Sequence, residues 1–180
     1  TEVFNELNAA FAKENPDADI AFNFAGSQIL RLQIEQGAGA HVIATANVDH
    51  MRALQSGGHL GRHVVFARNE LVLIVPHENP AGIEAFEDLP RARRWVMGTE
   101  GVPIGQYGRA ILAQVGPEFE AQAMAGVASF ENNVRLIRTR VQLGEADAGL
   151  VYRTDVRAVP GLKVIEVPPS FSVSAAYGMG

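Results

Sequence analysis

Residues 71–75 read Leu-Val-Leu-Ile-Val, five apolar side chains in a row with no polar residue between them. A strand with that pattern has no face to offer to water, so it predicts a sheet covered on both sides, as in α/β proteins. The run is strand-sized and far below the roughly 18–20 residues that a membrane-spanning helix needs. Hydrophobic residues make up 47% of the 180 and charged residues 19%, which suits a globular chain and argues against disorder. The length admits one large domain or two small lobes.

Alternating helix and strand signals surround this run. Val3, Phe4, Leu7, Ala10 and Phe11 recur at helical spacing, which predicts a helix over residues 2–14, ended by Asn15-Pro16-Asp17. A strand at 20–24, a turn at 25–27 and a helix at 28–36 closed by Gly37 follow. Residues 41–45 read as a strand and 48–55 as a helix stopped by Gly57-Gly58. This order predicts a parallel sheet with helices on its faces. Strands at 63–67 and 71–75 come next, then a short helix at 83–86 and a strand at 95–97. Helices at 106–115 and 134–141, strands at 148–152 and 162–167, and a last strand at 172–177 complete the pattern. Two α/β units joined near 68–76, with a late return strand, predict two lobes that could close around a ligand. The first lobe would hold residues 1–70 plus 171–180, the second 71–170.

Several function classes recede. The net charge is −5 and no segment is rich in Lys and Arg, so nothing suggests a nucleic-acid partner. Arg91, Arg93 and Arg94 form one short cluster that reads as a solvated loop. Without cysteine there is no disulfide, thiol nucleophile or Cys-based zinc site, although the compartment stays open. His59 and His63 are four apart, but Gly58 and Gly61 argue against the helix that would pair them on a metal. No nucleophile–base pattern or phosphate-binding glycine loop stands out, so no enzyme activity is expected. The chain begins without Met, directly in a helical pattern, and reads as processed or trimmed; the missing signal peptide says little about export.

Three segments share a tight turn feeding straight into a helix: Phe24-Ala25-Gly26-Ser27, Gly101-Val102-Pro103-Ile104-Gly105 and Phe130-Glu131-Asn132-Asn133-Val134. The first N–H groups of a helix lack internal partners and the helix dipole favours negative charge there. Three such starts in one cleft would hold an anion without Lys or Arg. Taken singly, Ser27 also reads as a plain N-cap and Tyr152 as a core aromatic. Ile104 and Val134 would act through backbone N–H alone. Tyr152 closes an apolar strand, at the end where open α/β sheets bind ligands.

In chain order these motifs, with Gln33-Ile34-Glu35-Gln36-Gly37-Ala38, Asn69-Glu70 through Val75-Pro76 and Gly144-Glu145-Ala146-Asp147-Ala148-Gly149-Leu150-Val151-Tyr152, resemble the periplasmic molybdate-binding proteins of ABC transporters. The resemblance implies a periplasmic-binding-protein-like fold with a hinge and a cleft between its lobes. It also implies an extracytoplasmic monomer that takes molybdate or tungstate, uses no cofactor, and delivers the oxyanion to a membrane permease. Ser27 then looks like the family's lobe-one serine, Ile104 and Val134 like the backbone donors of its V-P-A-G and E-N-V turns, and Tyr152 like its I-V-Y hydroxyl. An oxyanion-sensing domain of a transcriptional regulator is the alternative on the same fold. Ile104 stands where the family usually has Ala, the turn before Val134 carries one extra Asn, and His41 and Asn47 stand where Asp is common. The family also has a strand and a serine-bearing turn ahead of the position of Thr1, and a helix beyond Gly180.

Overall fold

The computed structural model describes residues 2–157 and 159–180. Helix α1 (Glu2–Glu14) opens the chain, followed by α2 (Ser27–Glu35), the two-residue strand β1 (Ala44–Thr45) and α3 (Val48–Ser56). Strand β2 (Val64–Pro76) then runs for 13 residues. Arg68-Asn69-Glu70 carries no Gly or Pro to break it, so the two strands expected on either side of that triplet are one continuous strand. The remaining elements are β3 (Trp95–Gly98), α4 (Pro103–Val115), α5 (Pro117–Ala125), β4 (Val127–Glu131), α6 (Val134–Gln142), β5 (Ala148–Tyr152), β6 (Leu162–Glu166) and β7 (Ser174–Met179).

Strand β2 belongs to two neighbourhoods. Its first half pairs antiparallel with β7, from Val64↔Met179 to Glu70↔Ser174. Its second half lies between β5 and β6, both antiparallel, with Leu71 opposite Tyr152 and Val72 opposite Glu166. Beyond β5 the sheet becomes parallel: β3 pairs with β5 on one side and with β4 on the other. The doubly covered half of β2, with β3 and β5, forms the larger core, which includes Leu71–Val75, Trp95, Met97, Ile111, Leu112, Ile137 and Leu150. A separate, smaller core gathers Ile43, Met51 and Leu54 under Leu30, Ile34 and Leu60.

Three expectations are corrected. Residues 20–24 form no strand, because no described segment offers them a ladder partner; Ile20, Phe22 and Phe24 stay 40–43% exposed. The early segment is therefore no parallel sheet: among the described residues its one strand, β1, pairs antiparallel with β7. The helix expected at 83–86 is instead a 3-10 turn at Phe86–Arg91, with Pro90 inside it. The structure also adds α5 and β4, whose boundaries lie at Gly116-Pro117 and Gly126. Pro at the first helical position and Gly beyond the last are ordinary boundary signals.

Candidate functional site

Three parallel strands, β5, β3 and β4, end at one edge of the sheet, and three of the candidate residues follow from that. Gly98 at the end of β3 lies opposite Glu131 at the end of β4, and the Thr99 N–H donates to the Glu131 carbonyl at 3.0 Å. The chain leaves β3 through a tight turn into α4. Its first residues are Pro103, Ile104 and Gly105, with Val102 as an extended N-cap. A Cβ on Gly105 would lie 2.0 Å from the Thr99 carbonyl oxygen, so only glycine lets α4 start this close to its strand. Arg109 braces the turn, its Nη1 donating to the Gly98 and Gly105 carbonyls at 3.2 Å. Ile104 is buried at the second helical position, where the backbone N–H has no partner within the helix.

The chain leaves β4 into α6 in the same manner. Asn133 is the N-cap, its side chain accepting from the Leu136 N–H at 3.1 Å, and Val134 is the first helical residue. The extra Asn therefore has a place. Asn133 caps the helix, and the Asn132 carbonyl faces outward to accept from Gln28 Nε2 at 3.0 Å.

Tyr152 ends β5 and is 4% exposed. Its hydroxyl is buried and makes no hydrogen bond to any of the described residues. The rings of Tyr107 and Tyr177 stand edge-on to it, with centroids 6.5 and 5.7 Å away. Their own hydroxyls are engaged: Tyr107 accepts from the Ala176 N–H at 3.2 Å and Tyr177 from Asn69 Nδ2 at 2.9 Å. Asn69 Nδ2 also donates to Thr154 Oγ1 at 2.8 Å, next to the point where β2 changes partners. Burial above all, then Tyr177, Tyr107 and Asp155, pushes the Tyr152 hydroxyl well above the usual phenol range. It is thus a protonated donor held in place by packing, with nothing among the described residues to donate to. Buried polar groups are rarely left so.

Ser27 opens α2 from the smaller core. Gly26 is the N-cap, so Ser27 is not the cap that its position after a turn suggests. Ser27 Oγ instead accepts from the Ala46 N–H at 3.1 Å. Using the oxygen as acceptor leaves the O–H free to donate elsewhere. Asn47, which sequence reasoning left without a role, is buried at the start of α3. Its Oδ1 accepts from the His50 N–H at 3.3 Å, and its Nδ2 donates to Gln106 Oε1 on α4 at 2.6 Å. Two side-chain bridges thus join the starts of α2 and α3 to those of α6 and α4, placing all four helix starts along one seam. None of the four candidates carries a positive charge, and among the described residues no group of three or more His, Asp or Glu could hold a metal ion.

The sequence profile of bacterial extracellular solute-binding proteins matches residues 1–180. The chain belongs to that family. Among its relatives, the molybdate-binding protein ModA of Mycobacterium bovis is 34% identical over 158 residues, covering 87% of this chain and 58% of that protein. ModA of Haemophilus influenzae is 27% identical over 182 residues, covering 96% of this chain and 70% of its own length. The chain therefore spans less than two thirds of the mycobacterial relative. In fold it is similar to the periplasmic molybdate-binding protein of Azotobacter vinelandii, with a TM-score of 0.81 at 20% identity over 98% of this chain and 78% of that one. The architecture is the α/β fold of periplasmic binding proteins. No helix among the described residues is long and apolar enough to cross a membrane.

Proposed function

We propose that this protein captures molybdate or tungstate outside the cytoplasm and passes it, without chemical change, to the membrane permease of an ABC transporter. The observation that carries this reading is the buried, unpartnered Tyr152 hydroxyl at the edge where β3 and β4 feed α4 and α6. An oxyanion there would accept from the Tyr152 and Ser27 hydroxyls and from the N–H groups of Ser27, Ile104 and Val134. Such charge-assisted hydrogen bonds are short and strong, and helix starts favour negative charge. The similarity to ModA proteins points to the same class of ligand.

The lobes in this reading are residues 1–70 plus 171–180 and residues 71–170. One observation supports the boundary: β2 changes partners between Glu70, which pairs with β7, and Leu71, which pairs with β5. The protein acts as a monomer, needs no cofactor and binds no nucleic acid.

The site offers donors and no cation among its four ligands, so it selects a fully ionised tetrahedral anion. Phosphate retains a proton near neutral pH and needs an acceptor there. Calorimetric titration of the whole protein with molybdate, tungstate, sulfate and phosphate tests this. Molybdate and tungstate should bind with similar affinity and phosphate far more weakly. Phosphate binding as tight as molybdate binding would contradict the assignment.

A further inference from the structure

Among the described residues, two side-chain hydrogen bonds cross from the starts of α2 and α3 to the starts of α6 and α4, and neither belongs to the proposed ligand set. The first runs from Gln28 Nε2 on α2 to the Asn132 carbonyl, just ahead of the α6 N-cap, at 3.0 Å. The second runs from Asn47 Nδ2 to Gln106 Oε1 at 2.6 Å. The partners are 104 and 59 residues apart in sequence, so these contacts exist only while the two sides of the seam are together. Each flanks a candidate ligand position. Gln28 follows Ser27, Asn132 lies two residues before Val134, and Gln106 lies two residues after Ile104. Room for the first bridge comes from Gly26: a Cβ there would sit 2.6 Å from Gln28 Oε1.

We propose that Gln28 and the Asn47–Gln106 pair are positioning residues that latch the two lobes over the bound oxyanion and set how slowly it leaves. The proposal rests on the oxyanion-binding reading above. The bridges form between the protein's own groups, with or without a ligand, and contacts that hold two closed surfaces together act mainly on the dissociation rate. The two bridges differ in a way that chemistry can separate. Gln28 is a donor to a backbone carbonyl, which cannot rearrange to suit a new partner. Gln106 is an acceptor, and a carboxylate in its place accepts from Asn47 Nδ2 equally well. The same substitution at the two positions therefore has opposite consequences. Gln28→Glu sets a carboxylate against the Asn132 carbonyl and breaks its latch, whereas Gln106→Glu preserves the other. Each adds one negative charge near the anion, so each controls for charge in the other.

Stopped-flow dissociation of molybdate from the whole protein reads the difference. Gln28→Glu should speed release about tenfold, and Gln106→Glu should leave it within about twofold. Gln106→Ala, which removes the acceptor, should speed release as well. Equal acceleration by the two Glu variants would show that charge alone acts, and no acceleration by either would show that the bridges are incidental; both results overturn the proposal. A ligand-free measurement separates failure of the latch from failure of the binding assignment. The chain has no cysteine, so spin labels can be placed at Ser56→Cys on α3 and Thr139→Cys on α6 alone. The label-to-label distance distribution should broaden towards longer distances in Gln28→Glu and keep the parent's shape in Gln106→Glu. Identical distributions in all three proteins would overturn the latch whatever ligand the protein takes.

Discussion

Val65 and Leu73 lie on the same strand, eight residues apart, and both are branched apolar side chains. Yet Val65 is 46% exposed and Leu73 is completely buried. The strand does not change between them; its surroundings do. Around Leu73, β2 is hydrogen-bonded on both edges, by β5 and β6, and sheet and helices bury it. Around Val65 the paired neighbour is β7, and Val64, Val65 and Phe66 remain 38–62% exposed. The lesson is that an apolar strand signal reports a tendency, whereas burial is decided by what the rest of the chain brings to each face.

The sharpest way to break this contrast is to truncate both side chains. Leu73→Ala should destabilise by roughly 2–5 kcal/mol, the usual cost of deleting a fully buried Leu side chain. Val65→Ala should stay within about 0.5 kcal/mol, as for other surface positions. Denaturant unfolding at constant m-value measures both, and similar losses would show that the first half of β2 is as well packed as the second.

A second prediction concerns the smaller core through pH. His50 is buried with neither ring nitrogen hydrogen-bonded, and burial first, then Arg31, lowers its pKa, against opposing effects from Asp49 and Glu35. Above the ordinary imidazole value of about 6.5 the ring is neutral whether the chain is folded or not. As pH falls through that value, the unfolded chain takes up a proton that the folded chain resists, so stability falls. His50→Leu should flatten that fall. An unchanged pH slope in the variant would place the titration elsewhere.

The smallest expected effect lies at the surface beside the switch in β2. Arg153 Nε contacts Glu70 at 3.1 Å and its Nη1 contacts Glu166 at 3.0 Å, with all three side chains substantially exposed. Exposed ion pairs contribute little, so Arg153→Ala should cost less than about 1 kcal/mol, and less still in high salt. A larger loss that persists in high salt would mean that this cluster holds the two halves of β2 in register.

Much of the fold was legible in the sequence because it is local. The apolar run at 71–75, the strand ending at Tyr152 and the three turns into helices follow from periodicity and boundary residues. The continuity of β2 was not: Arg68-Asn69-Glu70 holds no Gly or Pro, but three polar residues interrupt the apolar pattern, and it is the antiparallel pairing with β7 that carries the strand through them. Residues 20–24 carry a good strand pattern, but a strand also needs a neighbour. Of the proposed ligands, Ser27, Ile104 and Val134 lie at turns into helices and Tyr152 at a strand end, all positions that the sequence signals. Asn47, Gln28 and Gln106 did not, because their bridges join residues far apart in sequence. Tyr107 and Tyr177 were likewise invisible as a clamp on Tyr152, being brought to it by α4 and β7.

The central claim is that the Tyr152 hydroxyl is kept unpartnered for an anion, and Tyr152→Phe addresses it with one missing oxygen. The buried hydroxyl makes no bond among the described residues, so its removal should leave the melting temperature unchanged or slightly higher. The same change should cost one charge-assisted hydrogen bond to the ligand, roughly 1.5–3 kcal/mol, weakening molybdate about tenfold to a hundredfold. Calorimetric titration of molybdate into the variant and the parent, alongside their melting curves, measures both quantities. Weakened binding at undiminished stability is the predicted result; unchanged affinity would contradict it.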